Sequence, residues 1–313
     1  MPADNFCVAT FYTFSPFEKS VIEKLIDDMK SIANKENIRG MVLIAKEGIN
    51  GTVCSSRKSI NLLINFLKDN IPDFEKNCKY SFCRKQAFRK FRIRYKNEII
   101  TFGVNSIDPS KDRGKYIDPN NWNDFIDDPG TLIIDTRNDY EINVGTFKGA
   151  LNPSTNKFSD FPEWVDKNLN AIIEERNITK IGMFCTGGVR CEKASSYLKS
   201  VGYKNIYQLK GGILKYLEQV PETLSKWLGE CFVFDRRVSL NHSLTPGAYR
   251  LCNACGMPLS PEDCKKNTFI RGVKCCFCKD KFSESDRLRF AERQKFIDNL
   301  SKVSKNNTMW PTP

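Results

Sequence analysis

Between Thr131 and Gln219, short apolar runs alternate with helix-length segments: TLIIDTR, FPEWVDKNLNAIIEERN, KIGMFC, CEKASSYLKSVG, NIYQL and GGILKYLEQ. Strands this short and this uniformly apolar are buried on both faces. The helices between them supply the crossovers of a parallel α/β sheet. The tightest constraint lies at FCTGGVRCEK, Phe184 to Lys193, where a strand passes into a helix through a turn holding two cysteines, a glycine pair and an arginine. Backbone N–H groups and the positive end of the helix converge there on Cys185. With Arg190 close by, such surroundings lower a thiol's pKa below its free value of about 8.5 and make a nucleophile at neutral pH. The spacing between Cys185 and Arg190 is TGGV, one residue shorter than the phosphate-binding loop of cysteine phosphatases, so the cradle suits a persulfide or another small group on sulfur. The helix beyond carries Ala194, Leu198 and Val201 on one face and stops at Gly202. Cys191 stands either to attack an oxidised or persulfidated Cys185 or to pack as a small residue.

This unit spans residues 122–220. Residues 1–102 read as strand, helix, strand, strand, helix, strand: CVATFYTF, EKSVIEKLIDDMKSIANKEN, GMVLIAKEGINGTVC with a turn at GIN, SINLLINFLKDN, and a segment ending EIITFG. That order fits a ferredoxin-like α/β sandwich. Residues 103–121 are rich in Asp, Asn, Pro, Gly and Lys and are expected to form a linker. Residues 221–313 hold a connector, a cysteine-rich module and a charged helical tail from about Ser283 to Lys302.

Thirteen cysteines, an odd number, without a secretory signal at the start MPADNFCVATFYTF, point to reduced thiols and a cytoplasmic protein. No apolar stretch approaches the ~20 residues of a membrane span. Four of the thiols, Cys252, Cys255, Cys275 and Cys278, follow C-x2-C-x19-C-x2-C, a zinc-ribbon spacing in which four thiolates close a tetrahedral shell. A structural zinc is expected there, with metal-free thiols as the alternative; Cys264 and Cys276 are left over. The single histidine, His242, reads as a loop residue, and one chain with one histidine cannot build a two-histidine iron site. With no dinucleotide-binding glycine pattern either, no organic cofactor is expected.

The net charge of +12 calls for an anionic partner. RKQAFRKFRIRYK concentrates seven basic residues, Arg84, Lys85, Arg89, Lys90, Arg92, Arg94 and Lys96, with no acid among them. Its alternation puts Phe91, Ile93 and Tyr95 on one strand face and the charges on the other, a row suited to nucleic-acid phosphates or to a solvated edge strand.

CTGGVR resembles the active loop of the rhodanese superfamily, LIIDTRNDYEINVGTFKGALNPS its first signature, and QLKGGILKY the segment after the loop. Cys185 would be the catalytic cysteine and Arg190 the loop arginine, with Asp135 and Arg137 bracing the domain. With YQLKGGILKYLEQV, GECFVFDRRV, the N-terminal domain and the cysteine-rich end added, nearly the whole chain resembles the TrhO family of tRNA uridine hydroxylases. The resemblance implies three parts: an acylphosphatase-like ferredoxin sandwich, a rhodanese domain and a zinc-ribbon-like module. It also implies molecular oxygen as co-substrate, tRNA as partner and 5-hydroxyuridine at the wobble position as product. A sulfurtransferase carrying a Cys185 persulfide, or an inactive RNA- or protein-binding adaptor, are the alternatives.

Overall fold

The computed structural model describes residues 6–72, 74, 78–104 and 106–304; the end of the third region, 305–313, lies outside the described residues. The first domain is built from β1 (Phe6–Phe14), α1 (Lys19–Lys35), β2 (Arg39–Ala45), β3 (Gly48–Ser55), α2 (Arg57–Asn70), β4 (Lys79–Cys83) and β5 (Phe91–Tyr95). The sheet order is β4-β1-β3-β2-β5, the sandwich expected, with β5 added parallel to β2 at the edge. Helix α1 buries Ile22, Leu25, Met29 and Ala33 at helical spacing against Phe11, Val42, Ile44 and Val53 of the sheet.

Three local expectations are corrected here. The hairpin turn falls at Lys46-Glu47, while GIN belongs to β3, with Gly48 opposite Ala45. The segment ending EIITFG forms no strand. Its backbone is spoken for by side chains: Ile99 N–H donates to Glu47 at 2.7 Å and Phe102 N–H to Glu98 at 3.1 Å, while both residues are buried. Tyr95 is 51% exposed, whereas Phe91 and Ile93 pack on the core.

The second sheet, β6-β10-β9-β7, is parallel throughout: β6 (Lys115–Ile117), β7 (Thr131–Asp135), β9 (Lys180–Phe184) and β10 (Ile206–Leu209). β6 arises inside the stretch read as a linker. Its partly exposed edge residues carried no apolar signal. Around the sheet lie α3 (Pro119–Asp127), α4 (Asp139–Ile142), the short β8 (Gly145–Phe147), α5 (Phe161–Trp164) continuing through a π segment into α6 (Asn170–Arg176), α7 (Val189–Ser200) and α8 (Gly212–Gln219). Leu132 and Ile134 enter one core and Ile133 the opposite one, as strands covered on both faces require.

Helix α7 is buried from Arg190 to Leu198, with charged and apolar positions alike covered. The expected apolar face holds for Ala194 and Leu198, which enter the core of the parallel sheet, but not for Val201, 47% exposed, which caps the helix one residue past its last turn. The remaining strands are short. β11 (Trp227–Gly229) pairs with β8, β12 (Cys231–Phe232) with β13 (Ser239–Leu240), and β14 (Arg250–Leu251) with β15 (Pro258–Leu259). His242 sits in the turn after β13, and α9 (Glu284–Ser304) closes the described chain. Among the described residues no helix is long and apolar enough to cross a membrane.

Candidate active site

Cys185 follows β9, and the turn after it is shaped by two glycines. Gly188, at φ +107°, lets its N–H reach back to Cys185 Sγ at 3.1 Å as it opens α7. From the other side α8 begins at Gly212, φ +68°, where a Cβ would lie 2.5 Å from the Cys185 carbonyl oxygen. Only glycine fits there. The α8 N-terminus then holds the loop, Ile213 N–H donating to the Cys185 carbonyl at 3.0 Å and Leu214 N–H to the Thr186 carbonyl at 3.1 Å.

Arg190 turns inward, its guanidinium held by Glu141 in a two-pronged pair at 2.6 and 2.7 Å. Glu141 is fully buried and accepts the Asn138 N–H at 3.1 Å. Leaving either charge of such a pair alone costs roughly 3–5 kcal/mol, so the loop arginine is fixed in place. Asp135 and Arg137, both fully buried, form a second two-pronged pair at 2.9 and 2.6 Å, and Arg137 also donates to the Gly145 carbonyl at 2.6 Å. That pair ties β7 to β8.

Cys185 is 1% exposed. Burial opposes its ionisation, yet the Cys191 thiol, the Arg190 charge and the N–H groups of Cys191 and Arg190 outweigh burial and bring the thiol down to about 5. Cys191 moves the other way, pushed up by burial and by the neighbouring thiolate, and its sulfur lies 3.6 Å from Thr136 Oγ1. The pair therefore holds one negative charge, on Cys185, with Cys191 as its donor. Both thiols are reduced.

Sequence reasoning missed the wall that the first domain builds over this loop. Lys79 of β4 is buried and donates from Nζ to the Gly187 carbonyl at 2.7 Å, 5.1 Å from the Tyr12 ring centre. Burial lowers its pKa to about 8, against the pull of the Cys185 thiolate. Glu192 accepts the hydroxyls of Tyr12 and Tyr116 at 2.9 and 2.7 Å and the amide of Gln208 at 3.2 Å. Lys193 pairs with Glu47 at 2.9 Å and Glu98 at 2.6 Å. The letters CEK thus encode a thiol for the site and two charges for the domain seam. A Glu-Lys pair directly after a reactive cysteine was the only available signal.

Replacing Lys79 by methionine keeps the length and removes the cation. The Cys185 midpoint is expected to rise by roughly one unit, the effect of one close charge. Ultraviolet thiolate absorbance against pH, or the alkylation rate of Cys185 followed by peptide mass spectrometry, measures it.

Cys252, Cys255, Cys275 and Cys278 converge, their ligand atoms all within 4.8 Å of one another. Neighbouring sulfurs lie 3.6, 3.7 and 4.0 Å apart. Zinc–sulfur bonds of about 2.3 Å at tetrahedral angles place sulfurs about 3.8 Å apart, so the donor set fits such an ion. Cys276 lies outside it, 3.5 Å from Asp263 Oδ1.

All seven residues of the basic row are exposed, but they divide. Arg84, Lys85 and Arg89 line a groove of about 2390 Å³ shared with the connector and the cysteine module. Arg89, Lys90, Arg92 and Arg94 border a smaller one of about 580 Å³ beside α1, and Lys96 lies on neither.

Residues 6–99 match the family described as UPF0176 acylphosphatase like domain, and residues 118–219 match the Rhodanese-like domain. A tRNA uridine(34) hydroxylase of Prochlorococcus marinus (strain NATL1A) is 50% identical over 305 residues, 97% of this chain and 96% of its own. Another, from Prochlorococcus marinus (strain MIT 9303), is 50% identical over 300 residues, 96% of this chain and 97% of its own. With that identity running through all three parts of the fold, the chain belongs to the tRNA uridine(34) hydroxylase family.

Proposed function

We propose that this chain is a cytoplasmic enzyme that hydroxylates the wobble uridine of tRNA at carbon 5, with Cys185 as nucleophile and molecular oxygen as co-substrate. The observation that carries this is the ionised, hydrogen-bonded Cys185 cradle in a chain of that family. The thiolate adds to carbon 6 of the ring, and the resulting enolate at carbon 5 donates an electron pair to oxygen. Two electrons and two protons from an external reductant release one oxygen atom as water and leave the other as hydroxyl on carbon 5. Loss of the carbon 5 proton then expels the thiolate and restores the double bond. Arg190 and the Gly188 N–H hold the thiolate before attack and receive it afterwards. Cys191, hydrogen-bonded to Cys185, is the thiol placed to condense with a Cys185 sulfenic acid, releasing water and forming a disulfide that an external thiol then reduces.

The reaction on tRNA under 18O2 tests this reading. One labelled oxygen per modified uridine is expected, whereas a thiolated nucleoside would assign sulfur transfer instead.

Cys252, Cys255, Cys275 and Cys278 would hold a zinc ion whose four-sulfur shell leaves no open position. Such an ion supplies folding stability. The seven basic residues from Arg84 to Lys96 contact tRNA phosphates. Reversing Arg92 and Arg94 to glutamate is expected to weaken tRNA binding at least about tenfold and to flatten its salt dependence, by filter binding at several salt concentrations. Unchanged affinity would remove β5 from the contact surface.

A further inference from the structure

We propose that the groove between the first domain, the connector and the cysteine module receives the unpaired loop of an RNA hairpin, with Phe82 and Phe234 stacking its bases. The inference rests on the tRNA reading above and locates where the substrate's single-stranded part is held.

Size is the first reason. At about 2390 Å³ the groove exceeds the roughly 300–1,000 Å³ of small-molecule pockets and has room for several nucleotides of a polymer. Charge is the second. Nine lysines and arginines line it against two acids, and both acids are engaged: Asp235 by Arg237 at 2.5 Å and Glu36 by the Ser59 hydroxyl at 3.1 Å. The cations come from three separate parts of the chain, including Arg84 and Arg89, Arg236 of the connector, and Arg250 and Arg271 of the module. Burial and then the nearby charges of Arg89 and Arg39 disfavour the charged form of Arg236. Like charges crowded in this way are relieved by a polyanion.

Exposed aromatic rings are the third reason, and they separate a loop from a duplex. Phe82 on β4 is 48% exposed and Phe234 64%, and both line the groove. A paired helix hides its base faces, whereas unpaired bases stack on such rings. Phe234 also points to the chemistry. Its ring centre lies 6.0 Å from the Arg190 guanidinium, and it packs edge-on to Phe232 at 5.1 Å, which meets Tyr140 at 5.4 Å, next to Glu141. A base on Phe234 therefore sits beside the arginine that anchors the Cys185 loop.

The test is binding of the full chain to an RNA hairpin with 2-aminopurine in its loop, against a fully paired RNA of equal length. Phe82→Ala and Phe234→Ala are each expected to weaken hairpin binding roughly ten- to hundredfold and to reduce fluorescence quenching, with far less effect on the duplex. Arg250→Glu should lower the salt slope by about 0.7 for the lost phosphate contact. Leu224→Ala, 65% exposed and outside the groove, should bind as wild type. Wild-type hairpin affinity in both phenylalanine variants overturns the proposal. So does equal loss on hairpin and duplex, or displacement of the hairpin by polyglutamate as effectively as by RNA. Failure of the hydroxylase reading shows itself separately, as wild-type protein that binds the hairpin in this way yet forms no 5-hydroxyuridine.

Discussion

Replacing Cys185 by serine is expected to lower 5-hydroxyuridine formation by roughly three orders of magnitude or more, as loss of a nucleophile does. A serine hydroxyl fits the cradle but does not ionise at neutral pH, so fold and tRNA affinity should stay as they are. Circular dichroism and filter binding check both. The wild-type pH profile makes the same point from the other side. Because the Cys185 pKa is depressed to about 5, the thiolate is present above that pH and is lost as pH falls through it. Single-turnover rates should be level from about pH 6 upward and decline below. An inflection near the ordinary thiol value of about 8.5 would mean that Arg190, Gly188 and Cys191 do not hold the anion.

Mutating Cys275 to serine, or stripping metal with a chelator, is expected to unfold the cysteine module. Its fully or nearly fully buried core consists of Cys252, Cys275, Cys278 and Leu259, so three of four core residues belong to the cluster. Without an ion, little apolar surface remains to order the segment. Structural zinc contributes roughly 10–16 kcal/mol in zinc-finger peptides at neutral pH. The module also supplies Arg250 and Arg271 to the large groove, so tRNA binding should fall along with its order. Elemental analysis should find about one zinc per chain in protein prepared without chelator, and Cys275→Ser should become sensitive to protease in the module. Less than a tenth of an equivalent, in a module that resists protease, would contradict the assignment.

Local chemistry was legible in the sequence, and contacts between domains were not. The period of α1, the two-faced burial of β7 and the C-x2-C pairs each follow from spacing within one segment. The Cys185 loop was readable for the same reason: strand, glycine turn and helix are contiguous. Lys79 and Tyr12, by contrast, reach Gly187 and Glu192 across more than a hundred residues of chain, and nothing in their own segments marks them. Helix α7 shows how this misleads. Glu192 and Lys193 resemble a solvated face, yet both are buried, because their partners lie on β1, on the loop at Glu47 and at Glu98. β6 escaped notice because an edge strand of three residues needs no apolar run. The basic row was visible as a row, but its division between two grooves depends on where the connector and module fold back.

The central claim is tested most directly by nucleoside mass spectrometry of tRNA from cells lacking the protein, complemented with wild type or with Cys185→Ser. Loss of 5-hydroxyuridine and its derivatives, restored by wild type and not by the serine variant, is the expected result. Full restoration by Cys185→Ser would contradict it, because the cradle around that sulfur would then have no part in the reaction.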